Sequence, residues 1–302
     1  MSAIAVTGSS GLLGRPLVAR LQEAGHGVAR VVRSAPKADQ LGWDPERGTI
    51  DRAGFEGIDA VVHLAGEGIG EHRWSEAQKA RIRDSRVKGT NLLATTLARL
   101  DRPPSALLSG SAIGFYGEGA DRELTESNRP GQGYLAEMVT AWEAAAGPCV
   151  DAGIRTAFLR TGIVLSTAGG ALARQLRPFR MGLGGRAGSG NQWQSWISID
   201  DAVGAITFIL DRELSGPVNL TAPQPVTQAE FATTLGRVLG RPTFLPTPVF
   251  AVKLALGAEL VDNLVLGSQR VLPRVLSDTG YRWVHPDLTS CLERLLHGGE
   301  ES

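Results

Sequence analysis

Short, nearly continuous apolar runs alternate with longer segments of mixed polarity along the first half of the chain. The apolar runs cover residues 4–7, 28–32, 58–66, 106–109 and 156–162. Runs of this length predict buried strands, and their alternation with helical segments is typical of a parallel sheet that is covered on both faces. The pattern therefore predicts an α/β fold built on a doubly wound parallel sheet.

Apolar residues at helical spacing predict the elements between these strands. Helices are predicted over residues 12–24, 87–97, 134–146 and 202–210. Gly25 ends the first of them, because glycine is common just past a helix end. Strand and helix thus alternate, which is the order that a doubly wound sheet requires.

The composition changes beyond about Ser166. Residues 181–190 are dense in glycine and have no regular period, which predicts a long connection of the kind that carries function. Further on, Thr227 followed by Glu230 predicts a capping box at a helix start. A last pair of helices is predicted at about 249–266 and 288–296.

These changes predict two domains. The first covers residues 1–165, and residues 191–222 are expected to return to it. The second is a smaller α/β domain that takes up most of residues 166–302.

Three glycines spaced three apart follow the first strand directly. A strand, a glycine turn and a helix start make a phosphate cradle, because the backbone approaches the pyrophosphate closely while free N–H groups and the helix dipole attract its charge. A merely tight structural turn is the alternative. The residues that this pattern places at a bound dinucleotide are Gly8, Ser10, Gly11, Leu12, Leu13 and Gly14.

The end of the second strand indicates which dinucleotide. The residue about 20 positions past the glycine turn meets the adenosine ribose, and an acid there would accept from the 2′-hydroxyl of NAD. Here the position holds Arg33 with Ser34 beside it, and no acid appears until Asp39. Because a guanidinium suits a 2′-phosphate, we predict NADP as the cofactor. An ordinary solvated arginine at a strand end is the alternative.

Polar residues within or after the buried strands are further candidates. His63 lies inside an apolar run, so a packed, hydrogen-bonded core histidine is favoured over a catalytic one. Ser109 and Ser111 lie at the end of a strand, where ligands bind in open sheets. Ser111 is predicted to line the nicotinamide pocket, with a plain turn serine as the alternative.

Composition and charge limit the possible partners. Lys and Arg together number 31, as do Asp and Glu, and this zero net charge argues against a nucleic-acid partner. Cys149 and Cys291 lie far apart, so neither a metal site nor a disulfide framework is predicted. No signal segment or apolar span long enough for a bilayer is apparent, and we expect a cytoplasmic protein that acts on a small molecule.

Several motifs together resemble one family. The turn Thr7–Gly14, His63–Gly66, Ser109–Ala112 with Tyr116-Gly117, Arg160–Gly162 and Trp196–Asp201 fall in the order found in extended short-chain dehydrogenases/reductases. More narrowly, the chain resembles the atypical, epimerase-like NADP-binding oxidoreductases, whose marks here are Trp43–Pro45, Trp142-Glu143, Arg160–Leu165 and Leu266–Pro273. The resemblance covers essentially the whole chain. It implies a Rossmann-type domain and a smaller C-terminal substrate domain, with the ligand between them.

The resemblance also implies roles for particular residues. Leu64, Ala65 and Gly66 follow a strand that meets the cofactor in this family, and Lys88 lies on a helix that runs along the cofactor side. A solvated lysine is the alternative for Lys88. The further residues expected at the cofactor are Ser109 and Arg160.

The catalytic motif of the family is incomplete in this chain. The family uses a Ser or Thr, a Tyr and a Lys four residues after it, because the ammonium lowers the pKa of the phenol. Ser111 and Tyr134 match the first two, but Met138 stands at the lysine position. This departure leaves three possibilities. Another cation, such as Lys88 or Arg160, acts with Tyr134, or the reaction needs no strong acid and Ser111 or Tyr116 orients the substrate. In the third, the protein binds NADP without turnover.

The sequence therefore predicts an NADP(H)-binding, epimerase-like oxidoreductase that acts on an unidentified small polar substrate. A non-catalytic NADP-binding sensor or scaffold protein is the alternative. A nucleotide-sugar enzyme that holds NAD tightly is a third possibility, which Arg33 disfavours because it stands in place of an acid. By analogy with the family, we expect a monomer or a homodimer.

Overall fold

Eight strands form the central sheet of the computed structural model, which describes residues 1–33 and 36–298. In spatial order they are β12 (Gly216–Leu220), β8 (Arg155–Thr161), β6 (Ala106–Ala112), β5 (Ala60–His63), β1 (Ala3–Thr7), β2 (Gly27–Val32), β3 (Gln40–Asp44) and β4 (Thr49–Ile50). Neighbouring strands are parallel except β3 and β4, which are antiparallel. The predicted α/β fold with a doubly wound parallel sheet is confirmed.

Helices cover both faces of this sheet and make up most of the C-terminal part. They are α1 (Gly14–Glu23), α2 (Glu76–Leu97), α3 (Tyr134–Ala144), α4 (Gly147–Asp151), α5 (Gly170–Arg180), α6 (Ile199–Asp211), α7 (Gln228–Val238), α8 (Val249–Leu256), α9 (Ala258–Leu264), α10 (Arg274–Asp278) and α11 (Leu288–His297). Short turns of 3₁₀-helix cover Ala53–Phe55 and Ile113–Tyr116.

The strands divide their side chains between two apolar layers. Ile4 and Val6 of β1 pack in the layer that α1 and α6 complete, whereas Ala5 packs in the layer of α2 and α4. Successive side chains of a strand point to opposite faces, and helices bury each face of this sheet. This explains why the sequence shows continuous apolar runs rather than alternation.

Strand order places a crevice beside β1. Its neighbours are β2 on one side and β5 on the other, and the chain leaves β1 through the helix α1. The chain connections on the two sides of β1 run in opposite directions, so a crevice that can bind a ligand opens at the carboxyl ends of these strands. The end of β1 at Thr7 therefore marks where a site is expected.

The C-terminal part has its own apolar cluster. It joins α5, α7 and α11, with Leu172, Leu176, Phe231, Leu235 and Leu292 among its buried members. Three short strand pairs lie outside the main sheet: β9 (Ile163–Leu165) with β11 (Trp196–Ser198), β10 (Trp193–Gln194) with β13 (Val226–Thr227), and β7 (Glu123–Leu124) with β14 (Arg270–Val271). The strand β12 lies in the main sheet, although it comes between α5 and α7 in the sequence. The division into domains at residue 165 stays a prediction.

Two local expectations have different outcomes. The capping box is present: the Thr227 hydroxyl accepts from the Glu230 N–H, and the Glu230 carboxylate accepts from the Thr227 N–H. The single helix predicted over 249–266 is instead two helices, because the chain turns at Gly257, whose φ is +95°. Only glycine adopts that conformation without strain, so the residue ends α8.

Candidate functional site

The glycine turn after β1 is closed too tightly for any side chain. Gly8 has φ +66°, and a Cβ there would lie 2.8 Å from the Leu64 carbonyl carbon. A Cβ on Gly14 would lie 2.1 Å from the Gly8 carbonyl oxygen, which accepts from the Gly11 N–H at 2.9 Å. These close approaches explain the glycine spacing and bring the start of α1 against the end of β5.

The start of α1 offers donors to an anion. In the part of the chain that the structure describes, the N–H groups of Leu12 and Leu13 donate to no protein oxygen. Ser10 is exposed, and its carbonyl accepts from the Arg15 Nε at 2.8 Å. A helix start with free N–H groups and a glycine cradle fits a pyrophosphate. The turn therefore has the shape and the donors that a dinucleotide needs.

A buried histidine ties the strand ends together below the turn. The Thr7 hydroxyl accepts from the N–H groups of Leu64 and Ala65 at 3.1 and 3.2 Å, so its own proton goes to His63 Nδ1 at 2.7 Å. The other ring nitrogen, Nε2, then carries the hydrogen and donates to the Thr90 hydroxyl at 3.0 Å. Both ring nitrogens are occupied, which leaves none for a ligand.

This histidine is held neutral. Burial lowers the pKa of His63 to about 4, because the apolar surroundings disfavour the charged ring. The Thr90 hydroxyl also accepts from the Trp142 indole at 2.9 Å, so the network links β1, β5, α2 and α3. His63 is a hydrogen-bonded core residue that fixes the edge of the sheet on which the candidate site is built.

The residues predicted at the cofactor from β5 lie beside the glycine turn. Leu64 and Ala65 are half-buried and meet Gly8, whereas Gly66 is exposed and covers the Arg86 guanidinium, whose Cζ would lie 3.3 Å from a Cβ at Gly66. Arg86 is not among the residues that the sequence predicts at the site. Its position under this loop is a tertiary feature that no local pattern indicates.

Arg33 lies at the outer end of the crevice. It is exposed, follows β2 directly, and lines a depression of about 340 Å³ together with Trp43, Asp44 and Arg47. The strand β2 is hydrogen-bonded to β1, so this depression lies on the same sheet edge as the glycine turn. Ser34, which was predicted to share this role, lies outside the described residues.

The strand β6 ends in a buried ion-pair network. The Ser111 hydroxyl donates to Glu143 Oε1 at 2.6 Å, and Arg160 donates to both oxygens of the same carboxylate at 2.8 and 2.9 Å. Ser109 is also buried, two residues before Ser111 on the strand. Because Ser111 gives its proton to Glu143, its oxygen lone pairs are left to accept from a ligand. Glu143 was quoted only as part of the Trp142-Glu143 motif, and its contact with Ser111 was missed.

Tyr116 is the next member of that network and is buried. Its hydroxyl donates to the Asn219 side-chain oxygen at 2.7 Å and accepts from Arg160 at 3.0 Å. Arg160 also stacks on the Phe115 ring, with its Cζ 3.5 Å from the ring centroid. Burial raises the pKa of Tyr116, although Arg160 and Asn219 oppose the rise. The phenol is thus occupied by protein partners on both sides.

Tyr134 has different surroundings at the first residue of α3. Its hydroxyl donates to the Lys79 carbonyl at 2.9 Å, and its ring meets Trp74 edge to face at 5.2 Å. Burial raises the pKa of Tyr134, while Arg86 and Lys79 act to lower it. Met138, one turn further along, is buried in an apolar cluster with Ile82 and Val139.

The two cations offered by sequence analysis for Tyr134 are engaged elsewhere. Lys88 is mostly exposed and pairs with Asp84 at 2.8 Å, and Arg160 pairs with Glu143. The structure instead brings Arg86 and Lys79 towards the phenol. Both come from α2, so the charge next to Tyr134 is supplied by a different helix from the one that carries the family's lysine.

Across residues 1–33 and 36–298, no helix is long and apolar enough to span a membrane. Over the same ranges, no three His, Cys, Asp or Glu side chains gather into a group that would hold a metal ion.

Comparison with known proteins gives matches over nearly the whole chain. Residues 4–220 match the NAD dependent epimerase/dehydratase family, and residues 247–295 match a domain of unknown function, DUF1731. The epimerase family protein Mb2239 of Mycobacterium bovis is 44% identical over 291 residues, which are 96% of each chain.

Solved structures give the same picture. The crystal structure of the human epimerase family protein SDR39U1 with NADPH has a TM-score of 0.89 and 35% identity, and the match covers 97% of this chain and 98% of that one. A nucleoside-diphosphate sugar epimerase from Corynebacterium glutamicum has a TM-score of 0.81 and 36% identity, over 97% of this chain and 58% of that one. The similarity thus extends from the glycine turn through the C-terminal helices.

Proposed function

The chain belongs to the NAD dependent epimerase/dehydratase family, and from this premise we propose that it is an oxidoreductase that binds NADPH and transfers a hydride to or from a small polar substrate. The observation that carries the proposal is the glycine turn, where neither Gly8 nor Gly14 has room for a Cβ. The crystal structure of the similar human protein contains NADPH, which supports the choice of this cofactor.

The residues of the turn and of the neighbouring strand ends supply the cofactor site. We propose that Gly8 to Gly14 hold the pyrophosphate with backbone N–H groups, and that Arg33 binds the 2′-phosphate. Leu64, Ala65 and Gly66 then lie along the cofactor between these groups and the end of β6. Ser109 and Arg160 are both buried, so they hold the end of β6 in place rather than contact the cofactor directly. Lys88 lies on the outer face of α2 and acts on the cofactor only through its charge.

The chemistry falls to the residues at the end of β6 and the start of α3. When bound, the nicotinamide supplies or accepts the hydride. We propose that Tyr134 exchanges its bond to the Lys79 carbonyl for a bond to the substrate oxygen and passes its proton to that oxygen as the carbonyl is reduced. Ser111 accepts a hydrogen bond from a substrate hydroxyl, because its own proton is held by Glu143. Tyr116 keeps Arg160 in place.

Cofactor preference and turnover test this proposal together. Purified protein is titrated with NADPH and with NADH, and the bound complex is then mixed with a panel of aldehydes, ketones and sugar nucleotides while the reduced cofactor is followed by absorbance. We expect tighter binding of NADPH than of NADH and oxidation of NADPH by at least one compound class. Equal binding of the two cofactors contradicts the cofactor assignment.

Binding without turnover would favour the alternative, a non-catalytic NADP-binding protein. The variant Ser111→Ala distinguishes the two possibilities within cells. An oxidoreductase loses its cellular function in this variant while it keeps its affinity for NADPH. A sensor or scaffold keeps both.

A further inference from the structure

Helix α2 carries a cation without a carboxylate partner at the point where the family's lysine is missing. We propose that Arg86 is a positioning residue that acts through Tyr134: its guanidinium supplies, from α2, the positive charge that Met138 does not. This inference deepens the proposed function and rests on it for the role of Tyr134, but the contacts that support it belong to the free protein.

The placement of Arg86 follows from the geometry of α2. Lys79, Ile82 and Arg86 are three and four residues apart, so they share one face of the helix. The Tyr134 hydroxyl donates to the Lys79 carbonyl on this face, and Ile82 packs in the same cluster as Met138. Arg86 comes one turn after Ile82, below the loop that follows β5.

The guanidinium is held as a flat cation between two surfaces. Its Cζ lies 5.0 Å from the Trp142 ring centroid on one side, and Gly66 covers it on the other. Nη1 donates to the Glu67 and Ile82 carbonyls at 2.9 and 3.1 Å. The Nε is buried and has no hydrogen-bond partner among the described residues. These contacts orient the group, and the Glu67 carboxylate acts on its charge from beyond ion-pair distance.

Three other cations considered for Tyr134 pair with carboxylates. Lys79 pairs with Glu76 at 2.7 Å and with Glu259 at 3.0 Å, and Lys88 and Arg160 have their own acidic partners. Within residues 1–33 and 36–298, Arg86 forms no ion pair within 4.0 Å. A cation withdrawn from water and left without a counter-ion is costly, so it is expected where its charge is used.

The charges around Tyr134 agree with this role. Burial raises the pKa of the phenol, Arg86 and Lys79 lower it, and Glu259 and Glu76 raise it again. Lys79 Nζ lies 5.5 Å from the Tyr134 ring centroid, but those two glutamates pair with Lys79 and offset part of its effect, so Arg86 makes the larger of the two contributions that lower the phenol pKa. Burial lowers the pKa of Arg86, whereas Tyr134 and Glu67 raise it, and a guanidinium stays charged in proteins throughout the pH range in which a tyrosine titrates.

Tyrosine titration in the free protein tests the inference without any substrate. The chain has three tyrosines, so ¹³C labelling of the tyrosine ring gives three resonances, and Tyr134→Phe identifies that of Tyr134. In Arg86→Gln we expect the pKa of Tyr134 to rise by about one unit, since a nearby opposite charge typically lowers the pKa of an acid by about one to three units. Arg83→Gln, the same change at an exposed site on α2, should leave it unchanged.

The variant Arg86→Lys separates charge from packing. It keeps the positive charge but loses the planar contact with Trp142, so we expect the pKa of Tyr134 to stay close to that of the unsubstituted protein. If Arg86→Gln does not fold, Arg86→Met is titrated in its place, because it removes the charge and keeps an unbranched side chain against Trp142, and the same rise is expected. An unchanged pKa in Arg86→Gln overturns the inference, and so does a rise in Arg86→Lys. A failure of the proposed function would instead appear as the absence of hydride transfer in the unsubstituted protein, whatever the titration shows.

Discussion

Two tyrosines lie near arginines at the carboxyl edge of the sheet, and their surroundings are opposite. Tyr116 and Arg160 are buried, bonded to each other and joined to Glu143 and Asn219, so every charge and donor has a partner. Tyr134 is half-buried near Arg86, which has no ion-pair partner among the described residues. A closed network stabilises the fold, whereas an open one leaves groups available to a ligand. This difference identifies Tyr134 rather than Tyr116 as the candidate acid.

The largest expected effect is a loss of stability when the closed network around Arg160 is disrupted. Arg160→Met leaves the buried Glu143 carboxylate without its cation, so we expect the free energy of unfolding to fall by about 3–5 kcal/mol. Denaturant unfolding followed by circular dichroism measures this. Asp84→Asn, which removes only the exposed pair with Lys88, should cost less than about 1 kcal/mol. A loss as small as that control in Arg160→Met would contradict the structural role.

A second closed network predicts a pH dependence. His63 has an unfolded pKa near 6.5 and a folded pKa of about 4, so the unfolded chain binds more protons between these values. Stability is therefore complete above about pH 6.5 and falls as the pH decreases towards 4, by about 3 kcal/mol from this residue. Unfolding curves at several pH values for the unsubstituted protein and His63→Gln give the difference in slope. Equal slopes would show that His63 is not held neutral.

The next largest effect is on the affinity for NADPH. Arg33→Ala removes a charge-assisted contact to the 2′-phosphate, which contributes about 1.5–3 kcal/mol, so NADPH affinity should fall roughly 10- to 150-fold. The affinity for NADH should not change, because NADH has no 2′-phosphate. Calorimetric titration measures both, with Arg83→Ala as the control. Equal losses for the two cofactors would refute the role of Arg33.

The smallest expected effect is the difference in stability between variants of the two tyrosines. Tyr116→Phe leaves Asn219 and Arg160 each short of a buried partner, and we expect a loss of about 1–3 kcal/mol in the free energy of unfolding. Tyr134→Phe removes one bond to a carbonyl at a half-buried site, and we expect about 1 kcal/mol or less. Denaturant curves measured side by side test the order. A larger loss in Tyr134→Phe would reverse the comparison.

The parts of this picture that the sequence predicts are local. The glycine turn after β1 and the capping box at Thr227 depend on residues within a few positions of one another, so spacing alone indicates them. Helix α5 was missed because its sequence contains Pro178 and begins beside two glycines, which local propensity counts against a helix. Its buried face packs in one cluster with residues of α7 and α11, which lie far away in the sequence.

The parts that the sequence does not predict depend on distant contacts. The network through His63 joins residues from Thr7 to Trp142, and each of its members is compatible with many other folds. The position of Arg86 depends on how Gly66 and Trp142 enclose it. An arginine in a charged stretch of α2 gives no local sign of burial. The family resemblance therefore showed that Met138 stands at the lysine position, but the replacement cations predicted from the sequence were Lys88 and Arg160.

Transfer of deuterium from NADPH labelled at the nicotinamide C4 tests the central claim most directly. The loaded protein is incubated with the substrate panel, and the label is followed into products by mass spectrometry. We predict deuterium transfer by the unsubstituted protein and a fall of at least about 100-fold in the transfer rate in Tyr134→Phe. The control is Tyr281→Phe, which should transfer deuterium normally because the Tyr281 hydroxyl donates to the Asp201 carbonyl, away from the site. Undiminished transfer in Tyr134→Phe, or none by the unsubstituted protein with NADPH bound, would contradict the account.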